Sequence, residues 1–125
     1  MTVETSPEGK LLELAAKCCM AASDEQGALL SDAWDLIAPV KGIAWARGYA
    51  GTFASMVDAG AFESAALLLI PGDQWGYQMM PQFGVVRHPD QREKDAEAHG
   101  RTPALAFTAA CLRARAHTTK GTDDV

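Results

Sequence analysis

Arg101-Thr102-Pro103-Ala104-Leu105-Ala106-Phe107-Thr108-Ala109-Ala110-Cys111-Leu112-Arg113-Ala114-Arg115-Ala116 is the stretch whose reading decides the fold. Thr102 suits a helix N-cap, and Pro103 suits the first helical position, where a missing N–H has no partner to lose. Most residues that follow are strong helix formers, and Arg113 and Arg115 fall in the last turn, where cations offset the helix dipole. At about 100° per residue, Leu105, Ala109, Leu112 and Ala116 make one apolar stripe. Phe107, Ala110, Cys111 and Ala114 make a second on nearly the opposite side, with Thr108, Arg113 and Arg115 the breaks between them. A helix with two apolar faces is expected to be gripped from both sides, and its alanines let neighbours come close. It is the expected core helix.

The rest of the chain bounds the object around that helix. With 125 residues it has the length of one domain, enough to bury about two-thirds of its unfolded surface. An apolar content of 48% with 22% charged residues is that of a globular protein. A net charge of −5 argues against general affinity for nucleic acid or anionic membrane, both of which ask for a basic face. No apolar run nears the ~20 residues of a membrane span, and Met1 to Lys10 lacks the pattern of a signal peptide. Cys18, Cys19 and Cys111 suit free thiols in a reducing compartment, so a cytosolic protein is expected.

From the N-terminus, residues 1–5 read as a flexible tail. Ser6-Pro7-Glu8 opens a helix, and Leu11, Leu14, Ala15, Cys18 and Ala22 give its buried face. Ser23-Asp24-Glu25-Gln26 has the form of a capping box for a second helix, with Leu29, Leu30, Ala33, Trp34 and Ile37 on one face and Pro39 as its stop. Gly42, Gly48 and Gly51, among Trp45, Tyr49 and Phe53, suggest an ordered loop with at most a short turn of helix over 40–54; whether 40–60 is loop or helix stays open. Ser55 then caps a third helix that runs into the apolar Leu67-Leu68-Leu69-Ile70 and stops at Pro71-Gly72-Asp73. Trp75, Tyr77 and Met79 alternate with Gly76, Gln78 and Met80, and Phe83 to Arg87 completes a hairpin through Pro81-Gln82. Residues 89–100 read as a charged connection, and 117–125 as a second flexible tail.

Three blocks, in order, resemble one family. Leu14 to Ala22 resembles its opening helix, Ser64-Ala65-Ala66-Leu67-Leu68-Leu69-Ile70-Pro71 a central block, and Thr102-Pro103-Ala104-Leu105-Ala106 through Leu112-Arg113-Ala114-Arg115-Ala116 its closing helix. The chain is similar over about residues 11–116 to the phage ABA-sandwich domain, a family of small phage and prophage proteins. It departs from that family at Ser64, where the family has an acid, and over 40–60, which has no clear counterpart. The resemblance implies an α-β-α layered fold and a phage origin, and it implies no catalytic residue.

Candidate chemistry is sparse. Cys111 with one of His88, His99 or His117 could form a nucleophile and base, but a reactive thiol needs an open electropositive setting, and an alanine-rich helix is where buried cysteines sit. His88, Asp90, Glu93 and His99 are metal-competent without the spacing of a zinc or calcium site. No phosphate-binding glycine loop is present, so no cofactor is expected. Arg87, Arg113 and Arg115 are the candidate anion patch, against the plainer reading of solvated helix-end charges. Trp45, Tyr49, Trp75 and Tyr77 are the candidate interaction residues, against core filling.

The expectation is therefore an α+β domain over 6–116, an α-β-α layered sandwich of about three main helices and a small antiparallel sheet. Functionally it is expected to be a non-catalytic phage accessory protein that binds a protein partner in the host cytoplasm, with modulation of the host as one such role. A small-ligand or nucleotide module with a pocket between sheet and last helix, using Arg87 or Arg113, is the alternative, and edge pairing of the sheet would allow a homodimer.

Overall fold

A computed structural model describes residues 6–123, with side chains described as far as Thr118. The fold is α+β and layered, as expected. Its helices are α1 (Pro7–Met20), α2 (Gln26–Lys41), α3 (Ile43–Asp58), α4 (Phe62–Leu67) and α5 (Pro103–Asp123). Its strands, β1 (Gly76–Met80), β2 (Phe83–Arg87) and β3 (Ala96–His99), form one antiparallel sheet in the order β1-β2-β3.

Helix α5 is the middle layer. Its N-cap is Thr102, whose Oγ1 accepts from the Leu105 N–H at 3.1 Å and donates to Gln26 Oε1 at 2.8 Å. Both apolar stripes are buried: Leu105 and Leu112 on one, Phe107 and Cys111 on the other, none more than 1% exposed. One side packs on the sheet, chiefly β2 and β3, and the other on α1 with help from α2. Fully burying side chains such as Phe107, Leu105 and Leu112 stabilises by about 1.5–3 kcal/mol each. The same burial leaves the Thr108 hydroxyl, on the one buried polar residue among the described residues, without a hydrogen-bond partner.

The sheet meets α5 at backbone distance. Tyr77, Val86 and Ala96 are register partners, as are Met79, Gly84 and Ala98, and these residues make up the face turned to the helix. A Cβ on Gly84 would lie 2.6 Å from Phe107 Cα, and one on Gly100 would lie 2.7 Å from the Ala106 nitrogen. Only glycine fits at either place. Gln78, Val85 and Glu97, with Met80, Phe83 and His99, lie on the outer face.

Several boundaries differ from the sequence reading, each for a physical reason. Residues 40–60 are not a loop: α3 covers most of them, and Trp45, Tyr49, Phe53 and Met56 are its helical repeat. Gly48 and Gly51 sit on its exposed side with open space around them, so they weaken the helix without breaking it. Pro39 does not end α2 but lies inside it, two residues before the last. It is exposed on the last turn, and Asp35, whose carbonyl oxygen loses its helical donor, is exposed too and can turn to water instead. The real break is Gly42, whose φ of +115° an L side chain rarely adopts.

The long helix expected from Ser55 is likewise divided. Gly60, at φ +78°, turns the chain, the Ala61 N–H reaches Met56 O at 2.8 Å, and α4 is a separate six-residue helix. Ser23 does not act as an N-cap: a 3-10 turn over Ser23–Glu25 precedes α2, and Glu25 accepts from the Ala22 N–H at 2.7 Å. The charged connection hides β3, where buried Ala96 and Ala98 alternate with exposed Glu97 and His99. Finally, α5 continues through residues 117–123 rather than fraying at 117; the expected tail over 1–5 and the last two residues lie outside the described residues.

Alanine substitution at two glycines should give opposite signs. Gly84→Ala must push α5 off the sheet and is expected to destabilise by about 1–3 kcal/mol. Gly48→Ala, in open space within α3, is expected to stabilise by about 0.5–1 kcal/mol. Urea denaturation with comparison of midpoints at constant slope checks both.

Candidate binding groove

All four candidate interaction aromatics line one groove. Trp45 and Tyr49 come from the first turns of α3, Trp75 from the segment before β1, and Tyr77 from β1 itself. Leu67, Leu68 and Ile70 complete the apolar wall, and Lys41 and Asp73 are its charged groups, around a volume of about 230 Å³. A larger hollow of about 580 Å³, near Gln26 and Thr102, has Phe62 as its only aromatic and Glu63 as its only charge.

Each aromatic is held from behind. Trp45 stacks on Trp34 at 5.2 Å between centroids, and Trp34 stacks on buried Phe53 at 4.6 Å. Tyr49 packs against Trp45 at 5.1 Å. Tyr77 stands edge-on to Phe107 of α5 at 5.7 Å, and Trp75 edge-on to His88 at 4.9 Å. Such ring pairs fix orientation as well as adding burial. Tyr49 remains 43% exposed and Tyr77 50%, so both rings present a face to whatever enters.

The groove has a cation that the sequence reading passed over. Lys41, the last residue of α2, donates to the Ile70 carbonyl oxygen and lies over the Trp45 ring, 4.6 Å from its centroid. A lysine at the end of a helix looks in sequence like an ordinary dipole partner, and only the α4–β1 loop folding back over it gives it this place. Burial lowers its pKa, and the neighbouring Arg115 cation lowers it further. The Asp73 carboxylate offsets this only in part.

Two of the three candidate anion-patch arginines are engaged by backbone carbonyl oxygens. Arg113 donates to the Glu97 carbonyl oxygen at 2.8 Å and to Cys19 Sγ at 3.6 Å, tying α5 to β3 and α1. Arg115 donates to the Pro71 carbonyl oxygen at 3.1 Å, while its Nε is buried without a partner. Arg87 is exposed at the end of β2, opposite Gly76. Arg113 and Arg115 thus hold different segments, and Arg115 is a neighbouring cation of Lys41. Nor does a ligand space open between sheet and α5 at Gly84 and Gly100, where the backbones touch.

Cys111 and His88 are taken up by the fold itself. Cys111 is fully buried, and burial pushes its thiol far up, against the milder pull of Lys41 and Arg115. A thiol so placed is protonated and out of reach, the opposite of what a nucleophile needs. His88 Nδ1 accepts from the backbone N–H groups of Asp90 and Gln91 at 3.0 and 2.9 Å, and Asp95 accepts from the His88 N–H at 2.7 Å. These bonds close the β2–β3 connection. Among the described residues no cluster of three or more histidines, cysteines or carboxylates could hold a metal ion, and no helix is long and apolar enough to cross a membrane. Comparison of the chain with family models, with curated proteins and with solved structures gives no match.

The buried thiols set an alkaline limit on stability. Burial raises Cys18 from the ordinary 9.0 to about 12, with Cys19 and Asp32 adding to the rise. The folded pKa is the higher one, so the thiol's contribution is whole below pH 9 and is lost as pH rises towards 12. The stability advantage of the wild type over Cys18→Ala should therefore shrink by about 1.4 kcal/mol per pH unit above pH 9. Paired urea melts from pH 7 to pH 10.5 measure it.

Proposed function

We propose that the protein is a non-catalytic binding module that docks a protein partner in the groove formed by Trp45, Tyr49, Trp75 and Tyr77. The observation that carries this reading is the convergence of those four rings, from three separate segments, on one partly open groove beside a cation. Aromatic rings of this kind, stacked from behind and exposed in front, are what binding hot spots are made of. At about 230 Å³ the groove is smaller than the ~300–1,000 Å³ of ordinary small-molecule pockets, which favours one or two inserted side chains over a free ligand.

A phage or prophage accessory protein working in the host cytoplasm is the setting we propose, on the strength of the three resembling blocks in their common order. The inaccessible Cys111 supports the non-catalytic part of the reading. Self-association through the free edges of β1 and β3 is the alternative mode of assembly.

Affinity capture from bacterial lysate tests the reading. The wild type should retain one stoichiometric protein partner, and Tyr49→Ala combined with Tyr77→Ala should lose it while leaving the thermal midpoint within a few degrees. Equal capture by both proteins, or capture of no partner by the wild type, would contradict it.

A further inference from the structure

Lys41 and Arg115 are neighbouring cations in a protein of net charge −5, and both are held by uncharged groups. Among the described residues, Lys41 is held by the Ile70 carbonyl oxygen and the Trp45 ring, and Arg115 by the Pro71 carbonyl oxygen. Pro71 directly follows Ile70, so one short loop caps both cations while its next residues, Gly72 and Asp73, line the groove. A carbonyl oxygen satisfies a hydrogen bond but does not neutralise a charge, and a half-buried cation left in that state is costly. The exposed Asp73 carboxylate is the only acid lining the groove.

From this we infer that the groove selects an acidic segment of its protein partner, an apolar or aromatic side chain entering between Trp45 and Tyr77 while an adjacent carboxylate is taken up by Lys41. The inference rests on the partner-binding reading and adds the chemistry of the partner. Charge complementarity is its basis. The lowered pKa of Lys41 shows the ammonium as under-compensated, and an incoming carboxylate would restore what burial removes. Arg115, held by the Pro71 carbonyl oxygen outside the groove lining, adds to the positive field around Lys41. A basic segment would face the Lys41 ammonium with one exposed carboxylate to pair with.

The test uses three synthetic peptides of about ten residues that differ only in what flanks a central tryptophan: aspartate and glutamate, their amides, or lysine and arginine. Each is titrated into isotope-labelled full-length protein while the indole N–H signals of Trp45 and Trp75 are followed by NMR. The acidic peptide should shift both signals and bind about tenfold more tightly than the amide peptide, the size of one charge-assisted hydrogen bond. Lys41→Gln should abolish that preference and Lys41→Arg restore it. Asp73→Asn, a change at an exposed position that does not threaten folding, should tighten acidic-peptide binding two- to threefold, and added salt should weaken it.

Equal binding of the acidic and amide peptides would overturn the inference while leaving the groove a docking site. So would stronger binding of the basic peptide, an acidic preference that survives Lys41→Gln, or no binding by any of the three. The capture experiment with Tyr49→Ala and Tyr77→Ala decides the broader reading separately.

Discussion

The contact of the α5 backbone with the sheet at Gly84 and Gly100 is the constraint on which the rest depends. With no Cβ on either residue, the helix lies within van der Waals reach of the strands, and Ala96 and Ala98 keep the same face low on β3. A helix held that close on one side can present its second apolar stripe, Leu105, Ala109 and Leu112, to α1 and α2 on the other. Among the described residues α5 is the only helix packed extensively on the small three-stranded sheet, which would be marginal alone. Its stability is borrowed from α5.

That arrangement also places the groove. Because β2 is pressed onto α5, its partner β1 lies at the sheet edge, with Tyr77 edge-on to Phe107 and still half in solvent. Arg115, eight residues further along α5 than Phe107, ties down the loop that leads into β1 and brings it over the end of α2. Lys41 is caught beneath that loop, and α3, leaving the Gly42 turn, sets Trp45 against it. The groove is thus a junction of three pieces rather than a property of any one. Its aromatic wall is stiff because the stack continues inward through Trp34 to Phe53.

The sequence made much of this legible where the local signal and the tertiary outcome agree. Thr102 and Pro103 start a helix wherever they are found together before an alanine-rich run, and two apolar stripes have nowhere to go but inside. The hairpin around Pro81 and Gln82 was plain from alternation. Helix α3 was legible but masked: the spacing of Trp45, Tyr49 and Phe53 is helical, yet three glycines weigh against it in any local count. Strand β3 was nearly silent, since alanine is a poor strand residue and Ala96 and Ala98 are buried only because α5 leaves no room for more. The four aromatics were visible as residues but their convergence was not, and Lys41 gave no sign at all, because its place is made by a loop twenty-nine residues away in sequence.

Native-state hydrogen exchange measures the central claim most directly, because it ranks each segment by the free energy of the opening that exposes it. If α5 is the layer that both sheet and helices hold in place, the amides of Ala106 to Ala114 should exchange only through global unfolding, with the β2 amides close behind. Should those α5 amides open at lower free energy than Leu30 to Ile37 of α2, the helix would be a passenger on a separate helical core, and the architecture described above would be contradicted.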